Sequence, residues 1–500
     1  MRILICTLMG LLFCMPLLSQ SSLSVPERLK AEAQQDARNE YQRTIASASS
    51  GSNSPHAPTS RMLDNDNDWM EDNWEIANGL DPSNPKDAYS DLDGDQLINL
   101  HEHYLESDPQ DVLSPAVISY TSGDLEEAIE LAQAGSVLRI PAGVYPLNYI
   151  EFPNGPIKLM IQGGWNEDFS IYDPVAYPTI LDGGYFDAVL YISTDDDASS
   201  QIIVDGLTIK RGIRTLSGYS NWIINNANSS NFVSFRNCQI VENNGNEAAL
   251  AIHHWDGGSD RVMIINSAIS GNYGSGLKTQ TTDSSMVEWR FVNSTISNNI
   301  NVPSSSREGY GIEGFTISGA SLSVGLVNSI VWGNEQESID FGNGITVAAS
   351  HSNIGTVHAE IYTPGIGMMD TDPLYVDPAG FDFSLSVGSP CIDQGVDVGL
   401  PFQGNSPDIG AFEHGLSSSI ETPLQASISC APNPSRGILS IESSTEVILS
   451  LQVYDIFGRS IPATIEQALY HATIQTVYRG LSTLYIETAK GRISKRIMFQ

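Results

Sequence analysis

Basic residues are scarce in this chain of 500 residues. It has 24 Lys and Arg against 59 Asp and Glu, which gives a formal net charge of -35. A chain this acidic repels nucleic acid and anionic lipid, so both classes of partner are excluded unless a cation intervenes. Calcium is the cation that this composition suggests first.

Cysteines are also few. Of the five, Cys6 and Cys14 lie in an N-terminal apolar run that we expect to be removed, and Cys238, Cys391 and Cys430 remain. An odd number in three different contexts does not indicate a disulfide framework. We therefore predict that the remaining cysteines are buried as small hydrophobic residues.

Long apolar runs are absent beyond the N terminus. Residues 1–20 combine a basic residue at Arg2, an apolar stretch at 3–14 and small or polar residues near Ser19, which is typical of a cleaved secretory signal. No later stretch approaches the roughly 18 apolar residues of a spanning helix, so we expect a soluble mature chain without a transmembrane segment. The Ser-, Ala- and Gln-rich residues 21–61 predict a low-complexity linker.

Two acidic segments, residues 64–75 and 91–102, repeat one pattern. Oxygen-bearing side chains occupy relative positions 1, 3, 5, 9 and 12, and a glutamate closes each segment. Alternate acidic residues on a tight loop suit a hard cation with six to eight ligands, although solvated acidic loops are the alternative. The predicted calcium ligands are Asp64, Asp66, Asp68, Asp72, Glu75, Asp91, Asp93, Asp95, Asn99 and Glu102.

Position 6 of these segments departs from an EF-hand loop, because Trp69 and Gln96 stand where that loop has glycine. The segments are followed by Leu-Asp-Pro at 80–82 and Ser-Asp-Pro at 107–109. The whole arrangement resembles bacterial thrombospondin type 3 repeats over residues 62–110. That resemblance implies structural calcium and a stalk or spacer, not catalysis.

The middle of the chain contains an internal repeat. Four short cores begin at Asn237, Asn266, Asn293 and Asn328, at spacings of 29, 27 and 35 residues. Variable spacing suits a solenoid whose coils carry loops of different length. We expect each coil to bury an inward row of Ile, Val and Leu, and the Asn side chains to bond to their equivalents on the neighbouring coils.

The flanks of this repeat extend the prediction over residues 115–415. An amphipathic helix at 124–132, with Leu125, Ile129 and Ala132 on one face, is expected to cap the open end of the stack. Gln-Gly-Gly-Trp at 162–165 and Asp-Ile-Gly-Ala-Phe-Glu at 408–413 mark its entry and exit. This region resembles right-handed parallel β-helix proteins of the pectin-lyase-like superfamily. The predicted fold class is all-β: a right-handed parallel β-helix with a calcium-loop segment before it and a small β-sandwich domain after it.

The superfamily contains polysaccharide lyases as well as adhesins, so a catalytic cleft is one hypothesis. A lyase needs a base and a group that neutralises a carboxylate, for which His253, Lys278, Arg290 and Glu313 are the candidates, with His254 and Trp255 nearby. The alternative is that these residues are solvated side chains on a solenoid surface. Asp256 and Asp260 as paired carboxylates of a glycosidase are a further alternative, and the acidic run 195–197 is as readily a loop.

The C terminus carries the most specific pattern. Ala-Pro-Asn-Pro-Ser-Arg-Gly at 431–437 and Leu-Gln-Val-Tyr-Asp-Ile-Phe-Gly-Arg at 451–459 predict a small antiparallel β-domain over 428–500, after a linker at 416–427. These motifs resemble the C-terminal sorting domain of the type IX (Por) secretion system of Bacteroidetes-type bacteria. The resemblance implies the type IX secretion machinery as a partner and export to the cell surface or medium.

Two classes of function remain at this point. In the first, the chain is a calcium-binding glycan-binding, adhesion or structural module at the cell surface. In the second, it is a secreted carbohydrate-active enzyme, for which a polysaccharide lyase is the leading form. We favour the first class because it accounts for the loops, the repeat and the export motifs without an active site.

Overall fold

The structure is a computed structural model that describes residues 63–500 with short gaps. The gaps are 122, 124, 133–134, 147–149, 152–157, 186–187, 194–198, 214–220, 226–229, 256, 302–308, 415–427, 432–434, 444–446, 456–460, 469, 489–490 and 500. The predicted signal peptide and both predicted linkers lie outside the described residues. The chain divides into two compact units, with the boundary between residues 415 and 416.

The first unit is a parallel β-helix, as predicted. Its strands form three parallel sheets, and the chain visits sheets 1, 2 and 3 in turn on each coil. Sheet 1 has ten strands: β1 Val117–Ser119, β2 Ser136–Pro141, β5 Lys158–Trp165, β8 Gln201–Asp205, β11 Phe232–Arg236, β14 Ser259–Ile265, β17 Met286–Val292, β20 Ser321–Val327, β23 Ile345–Ser350 and β26 Ile361–Pro364.

Sheets 2 and 3 have eight strands each. Sheet 2 contains β3 Gly143–Pro146, β6 Thr179–Asp182, β9 Leu207–Lys210, β12 Gln239–Val241, β15 Ala268–Ser270, β18 Thr295–Ser297, β21 Ile330–Trp332 and β24 Asn353–Ile354. Sheet 3 contains β4 Ile150–Glu151, β7 Leu190–Ser193, β10 Asn221–Asn225, β13 Asn244–His254, β16 Tyr273–Thr281, β19 Ile312–Thr316, β22 Ile339–Phe341 and β25 Val357–His358.

Inward-facing rows of apolar side chains form the core of the β-helix. In sheet 2, Ile240, Ile269 and Ile296 pair in register on successive strands and are buried. Helix α3, Leu125–Leu131, closes the first coil, and its Leu125 and Ile129 belong to the same core. Both the inward row and the capping helix are therefore confirmed.

Asparagines join the coils at the turn between sheets 2 and 3. Asn272 accepts the backbone N–H of Asn243 at 2.9 Å, and its own amide donates to Asn299 Oδ1 at 3.0 Å. Asn299 in turn donates to Asn334 Oδ1 at 2.9 Å. Asn243, Asn272 and Asn299 are fully buried. The predicted ladder therefore provides hydrogen bonds for polar groups that water does not reach.

Residues 63–114, which we call the N-terminal module, pack on the outer face of sheet 1. The module contains helices α1 Asp72–Asn78 and α2 Asn99–Leu105, with a 3-10 turn at Asp87–Tyr89 between them. Its buried residues share one hydrophobic cluster with outward-facing residues of sheet 1: Val137, Met160, Ile203, Phe232, Met263, Ile265, Val292 and Val327. The prediction that this segment forms a stalk or spacer is therefore wrong, because the module packs along the β-helix.

The exit from the β-helix also folds back on it. A hairpin of β27 Tyr375–Asp377 and β28 Asp382–Leu385 follows the last coil. Residues 396–400 then join the cluster beneath the N-terminal module, and Lys86 pairs with Asp397 at 2.6 Å. The N-terminal module and residues 396–400 thus contact each other on sheet 1.

The second unit is a small antiparallel β-domain, as predicted. One sheet contains β29 Ile428–Ala431, β30 Ile438–Ser443, β32 Thr464–Gln467 and β33 His471–Gln475, and the other contains β31 Ile448–Asp455, β34 Gly480–Thr488 and β35 Gly491–Phe499. Side chains from both sheets, among them Leu439, Ile474 and Leu484, form a single core. Residues 456–460 of the Phe-Gly-Arg motif lie outside the described residues.

Two further expectations concern single residue types. Cys238 and Cys391 are buried and free, as predicted, whereas the side chain of Cys430 is not described. Among the described residues, no helix is long and apolar enough to cross a membrane.

Replacing Asn272 by alanine should destabilise the β-helix. The change removes the acceptor of two donors of Asn243, its backbone N–H and its side-chain amide. A buried donor left without a partner costs about 1–3 kcal/mol, so the midpoint of urea unfolding should fall. Asn343→Ala is the matched control because Asn343 is exposed. Equal midpoints for the two variants would contradict a stabilising role of the ladder.

Candidate metal centre

The two acidic loops have the same backbone hydrogen bonds. At position 1, Asp64 accepts the N–H of Trp69 at 3.2 Å, and Asp91 accepts the N–H of Gln96 at 2.9 Å. The aspartates at position 5 each accept the N–H of the residue two further on, at 2.7 Å in the first loop and 2.8 Å in the second. One oxygen of each position-5 carboxylate therefore shapes its loop, and the other is left for a ligand.

Positions 4 and 6 of both loops adopt the left-handed backbone conformation. Asn67 and Trp69 have φ values of 60° and 80°, and Gly94 and Gln96 have values of 83° and 82°. The sharp bend that an EF-hand reaches with glycine at position 6 thus forms here with larger residues. A side chain as large as tryptophan is strained in this region, so the surroundings must hold it there.

Carboxylates converge at two places in the module. In each group below, one oxygen from every residue lies within 4.8 Å of one oxygen from each of the others. The groups found among the described residues are Asp64 with Asp66 and Asp68, Asp68 with Glu75 and Asp87, and Asp91 with Asp93 and Asp95. The first two share Asp68 and form one centre, which we call site 1. The third group is site 2.

Several of these oxygens are buried without a hydrogen-bond donor. Glu75 is fully buried and Asp66 is 5 % exposed, and neither carboxylate has a partner within the described part of the chain. Asp68 Oδ2 and Asp87 Oδ1 in site 1 are likewise unpartnered, as is Oε2 of the fully buried Glu102 beside site 2. Carboxylates buried without a partner are very costly, and a bound hard cation is the partner that oxygen ligands of this number suit.

The carboxylates of site 1 also have raised pKa values, which is consistent with a site that suits a cation. Burial, reinforced by the charge of Asp66, raises the pKa of Asp68 to about 9. Burial and the neighbouring carboxylates raise the pKa of Asp66 to about 7 and that of Glu75 to about 8. Without a cation, these groups therefore remain protonated at pH values where isolated carboxylates are charged.

Site 2 shows a weaker form of the same effect. Burial raises the pKa of Asp95 to about 6, and burial with the charges of Asp95 and Asp93 raises that of Glu102 to about 8. Glu102 also accepts a hydrogen bond from Ser107 Oγ at 3.3 Å. Because Asp91 and Asp93 are not fully buried, this site lies nearer to solvent than site 1.

Two predicted ligands have other contacts. Asp72 accepts both the backbone N–H of Asn65 at 2.7 Å and its side-chain amide at 2.6 Å, which ties the start of the first loop to helix α1. Asn99 donates to the backbone oxygen of Asp87 at 2.7 Å, and its buried Oδ1 has no partner in the described chain. The structure thus places Asn99, predicted for the second loop, beside a residue of site 1.

Asp87 is the member of site 1 that the sequence pattern did not indicate. It lies between the loops, in the 3-10 turn Asp87–Tyr89, outside the 12-residue spacing. The side chain also accepts the backbone N–H of Asp81 at 2.9 Å, which orients the carboxylate. The path of the chain between the two loops, through this 3-10 turn, brings Asp87 close to Asp68 and Glu75.

The predicted catalytic residues divide between two sheets. Lys278 and Glu313 pair in register on sheet 3, with Lys278 Nζ at 3.5 Å from Glu313 and 3.2 Å from Glu247. Arg290 lies on sheet 1, where it is 1 % exposed beneath the N-terminal module and paired with Glu288 at 2.7 Å. Of the four candidate residues, Arg290 therefore does not lie beside Lys278.

The described histidines and aspartates of the lyase and glycosidase hypotheses are buried. Burial lowers the pKa of His253 to about 3, and this residue is 2 % exposed. Asp260 is buried and contacts His254 Nδ1 at 2.6 Å and the amide of Asn231 at 2.9 Å. Asp260 therefore joins neighbouring strands, whereas Asp256 and the acidic run 195–197 lie outside the described residues.

Comparison with known families concerns the second unit. Residues 429–500 match the family described as the secretion system C-terminal sorting domain, Por_Secre_tail. Comparison with curated proteins gives no match. The sorting domain indicates that the chain is handled by the type IX secretion machinery and is a secreted or cell-surface protein of a Bacteroidetes-type bacterium.

In metal-free protein, the N-terminal module should lose stability as the pH rises. The folded pKa values of Asp66, Asp68 and Glu75 lie above their ordinary values of 3.8 and 4.5, so the folded module holds protons that the unfolded module releases. The stability that these groups contribute is complete below the ordinary values and is lost as the pH rises through about 7 to 9. Hydrogen-exchange protection factors of residues 63–114 in EDTA should fall between about pH 5 and about pH 8. Protection that is constant or rises with pH would contradict the raised pKa values.

Proposed function

We propose that this protein is a calcium-binding β-helix module, secreted or displayed at the cell surface, that binds extracellular glycans. The observation that carries the calcium part is the set of buried, unpartnered carboxylate oxygens of Asp66, Asp68 and Glu75. Calcium accepts oxygen ligands in flexible geometry, and the millimolar calcium of an extracellular medium suffices even for weak sites. In this proposal calcium is structural, and no step of a reaction passes through it.

Calcium binding should depend on the glutamates that close the two loops. Titration calorimetry of the full chain with calcium chloride should give saturable binding, and Glu75→Gln should weaken the affinity of site 1 by about tenfold or more, since even outer-shell changes at metal sites cost that much. Glu102→Gln should act in the same way at site 2. Glu71→Gln is the matched control, because it removes the same charge next to the same helix from a residue outside the carboxylate groups. The calcium proposal fails if the unmodified chain shows no saturable binding, or if the control variant behaves like Glu75→Gln.

The outer face of sheet 3 supports the glycan part of the proposal. Lys278, Glu313 and Asp340 lie side by side on successive strands, and their side chains are 18 %, 19 % and 41 % exposed. The next row along the strands contains Gln280 and Phe315, in register with the buried His253. A row of polar side chains beside a row that includes an aromatic residue is a surface to which a sugar chain can bind through hydroxyl groups and ring faces.

Aromatic residues at the end of this face strengthen the proposal. Phe315 is 39 % exposed, which leaves its ring partly open to solvent. Trp255 stacks on His253 with ring centroids 6.2 Å apart, and the buried indole N–H of Trp255 has no acceptor among the described residues. Since the whole chain is strongly acidic, neutral glycans or calcium-bridged acidic glycans are the expected ligands.

The chemistry on sheet 3 favours binding over lyase activity. Lys278, the remaining candidate base of the lyase hypothesis, is ion-paired with both Glu247 and Glu313. Both ion pairs engage the ammonium group with carboxylates of the protein itself. Arg290 lies on another sheet, and His253, the other basic residue of the predicted set, is 2 % exposed.

Retention on immobilised glycans tests this part. The full chain, assayed in calcium against neutral glycans, pectate, alginate and glycosaminoglycans, should be retained on at least one, and Phe315→Ala should weaken that retention by roughly fivefold, as loss of about 1 kcal/mol at an aromatic contact predicts. Val144→Ala is the matched control, because Val144 is an exposed apolar residue on sheet 2. Failure of the unmodified chain to bind any glycan would refute the proposal. Unsaturated uronate products whose formation requires Lys278 would replace binding by lyase activity.

A further inference from the structure

We infer that calcium binding in the two acidic loops is coupled to docking of the N-terminal module on sheet 1. The β-helix shapes the loops for calcium, and calcium in turn holds the module on the β-helix. This inference rests on the proposed calcium binding and adds a regulation of the same sites. It explains why structural calcium loops lie on a sheet and not on a stalk.

Arginines of sheet 1 hold the backbone of both loops. Arg290 donates to the carbonyl oxygen of Asn67 at 2.8 Å, at position 4 of the first loop. In the second loop, Arg139 donates to the carbonyl of Asp95 at 2.8 Å and Arg236 to that of Gln96 at 2.7 Å. These carbonyls belong to the loop backbone that carries the proposed calcium ligands. The arginines of the β-helix therefore hold that backbone, and with it the distances between the ligands.

The strained residue of site 1 is held by the same face. The guanidinium of Arg290 lies 3.9 Å from the ring of Trp69, and Phe232 meets that ring edge-on with centroids 6.4 Å apart. Trp69 is 1 % exposed as a result. Because Trp69 stands at position 6 with a left-handed backbone, these contacts offset the strain that the acidic loop requires.

Helix α2 connects the docking face to Glu102. Tyr104 stacks on Phe232 with parallel rings 3.6 Å apart, and its hydroxyl accepts a hydrogen bond from Arg261 at 2.8 Å. On the other side of Glu102, the fully buried His101 contacts Ser234 Oγ through Nε2 at 2.9 Å. Glu102 therefore lies between two residues anchored to the β-helix, His101 directly before it and Tyr104 two positions after it.

Two of these arginines, Arg236 and Arg290, do not repel a bound cation strongly, because carboxylates of the β-helix neutralise them. Arg236 makes two hydrogen bonds to Asp205 at 2.8 and 3.0 Å, and Arg290 makes two to Glu288 at 2.7 and 3.1 Å. The acidic oxygens of the loops are consequently left for the cation. Without it, the buried carboxylate oxygens of Asp66, Asp68 and Glu75 lack a partner, and separation of the module from sheet 1 returns them to water.

Binding and docking must then influence each other equally. If docking raises calcium affinity by some factor, calcium raises the stability of the docked state by the same factor. A substitution on the docking face that touches no carboxylate should therefore weaken calcium binding. No such effect is expected for an equivalent substitution on the inside of the β-helix.

Two phenylalanines of strand β11 provide a matched pair. Phe232 faces outward to Tyr104 and Trp69, whereas Phe235 faces inward to the core, and both are 1 % exposed. We expect Phe232→Leu in the full chain to weaken calcium binding by about fivefold or more, the lower end of typical coupling between sites. Phe235→Leu should leave calcium affinity unchanged. Hydrogen exchange of residues 63–114 in EDTA should also be faster in Phe232→Leu than in Phe235→Leu, and excess calcium should slow it in both.

The outcomes separate this inference from the proposal beneath it. Calcium binding by the unmodified chain with equal affinity in the two variants would overturn the coupling and leave the calcium sites intact. Absence of calcium binding in the unmodified chain would remove the calcium proposal and the coupling together. Lower calcium affinity in Phe232→Leu alone supports the coupling, since that residue lies outside both carboxylate groups.

Discussion

The structure depends on the in-register stacking of parallel strands. Each residue of a coil lies beside its equivalent on the next coil, so one residue type repeated in sequence becomes a continuous row in space. Rows of isoleucine fill the interior, and a row of buried asparagines joins the turns. On the outer face of sheet 1 the same rule sets Arg139, Gln162 and Asp205 side by side, which provides the surface that the N-terminal module contacts.

The rows inside the β-helix could be predicted because they repeat. Ile240, Ile269 and Ile296 stand at the same place in successive sequence cores, and so do the ladder asparagines. The two acidic loops could be paired for a similar reason, since their oxygen-bearing residues recur at the same spacing in both. Both patterns are local, and local patterns need no knowledge of how distant segments meet.

Contacts between segments that are distant in the sequence could not be predicted from local patterns. The position of Asp87 in site 1 and the burial of Arg290 both follow from the path of the module across sheet 1. A signal of that burial exists in strand β14, where Val262, Met263, Ile264 and Ile265 are consecutive apolar residues. A strand with one solvated face alternates, whereas an unbroken apolar run indicates that both faces are covered. The sequence thus shows that something covers sheet 1 but not which segment does so.

Four of the few basic residues of the chain lie at the interface between the N-terminal module and sheet 1. Arg139, Arg236, Arg261 and Arg290 lie beneath the module, three of them bound to its loop carbonyls and Arg261 to the hydroxyl of Tyr104. Basic residues that are buried in this way do not offset the acidic surface, which leaves cations from solution as the main source of neutralising charge. On the β-helix side, Asp205 and Glu288 balance their arginines. On the module side, Asp66, Asp68 and Glu75 of site 1 have no such partner, and we propose that a cation from solution supplies the missing charge there.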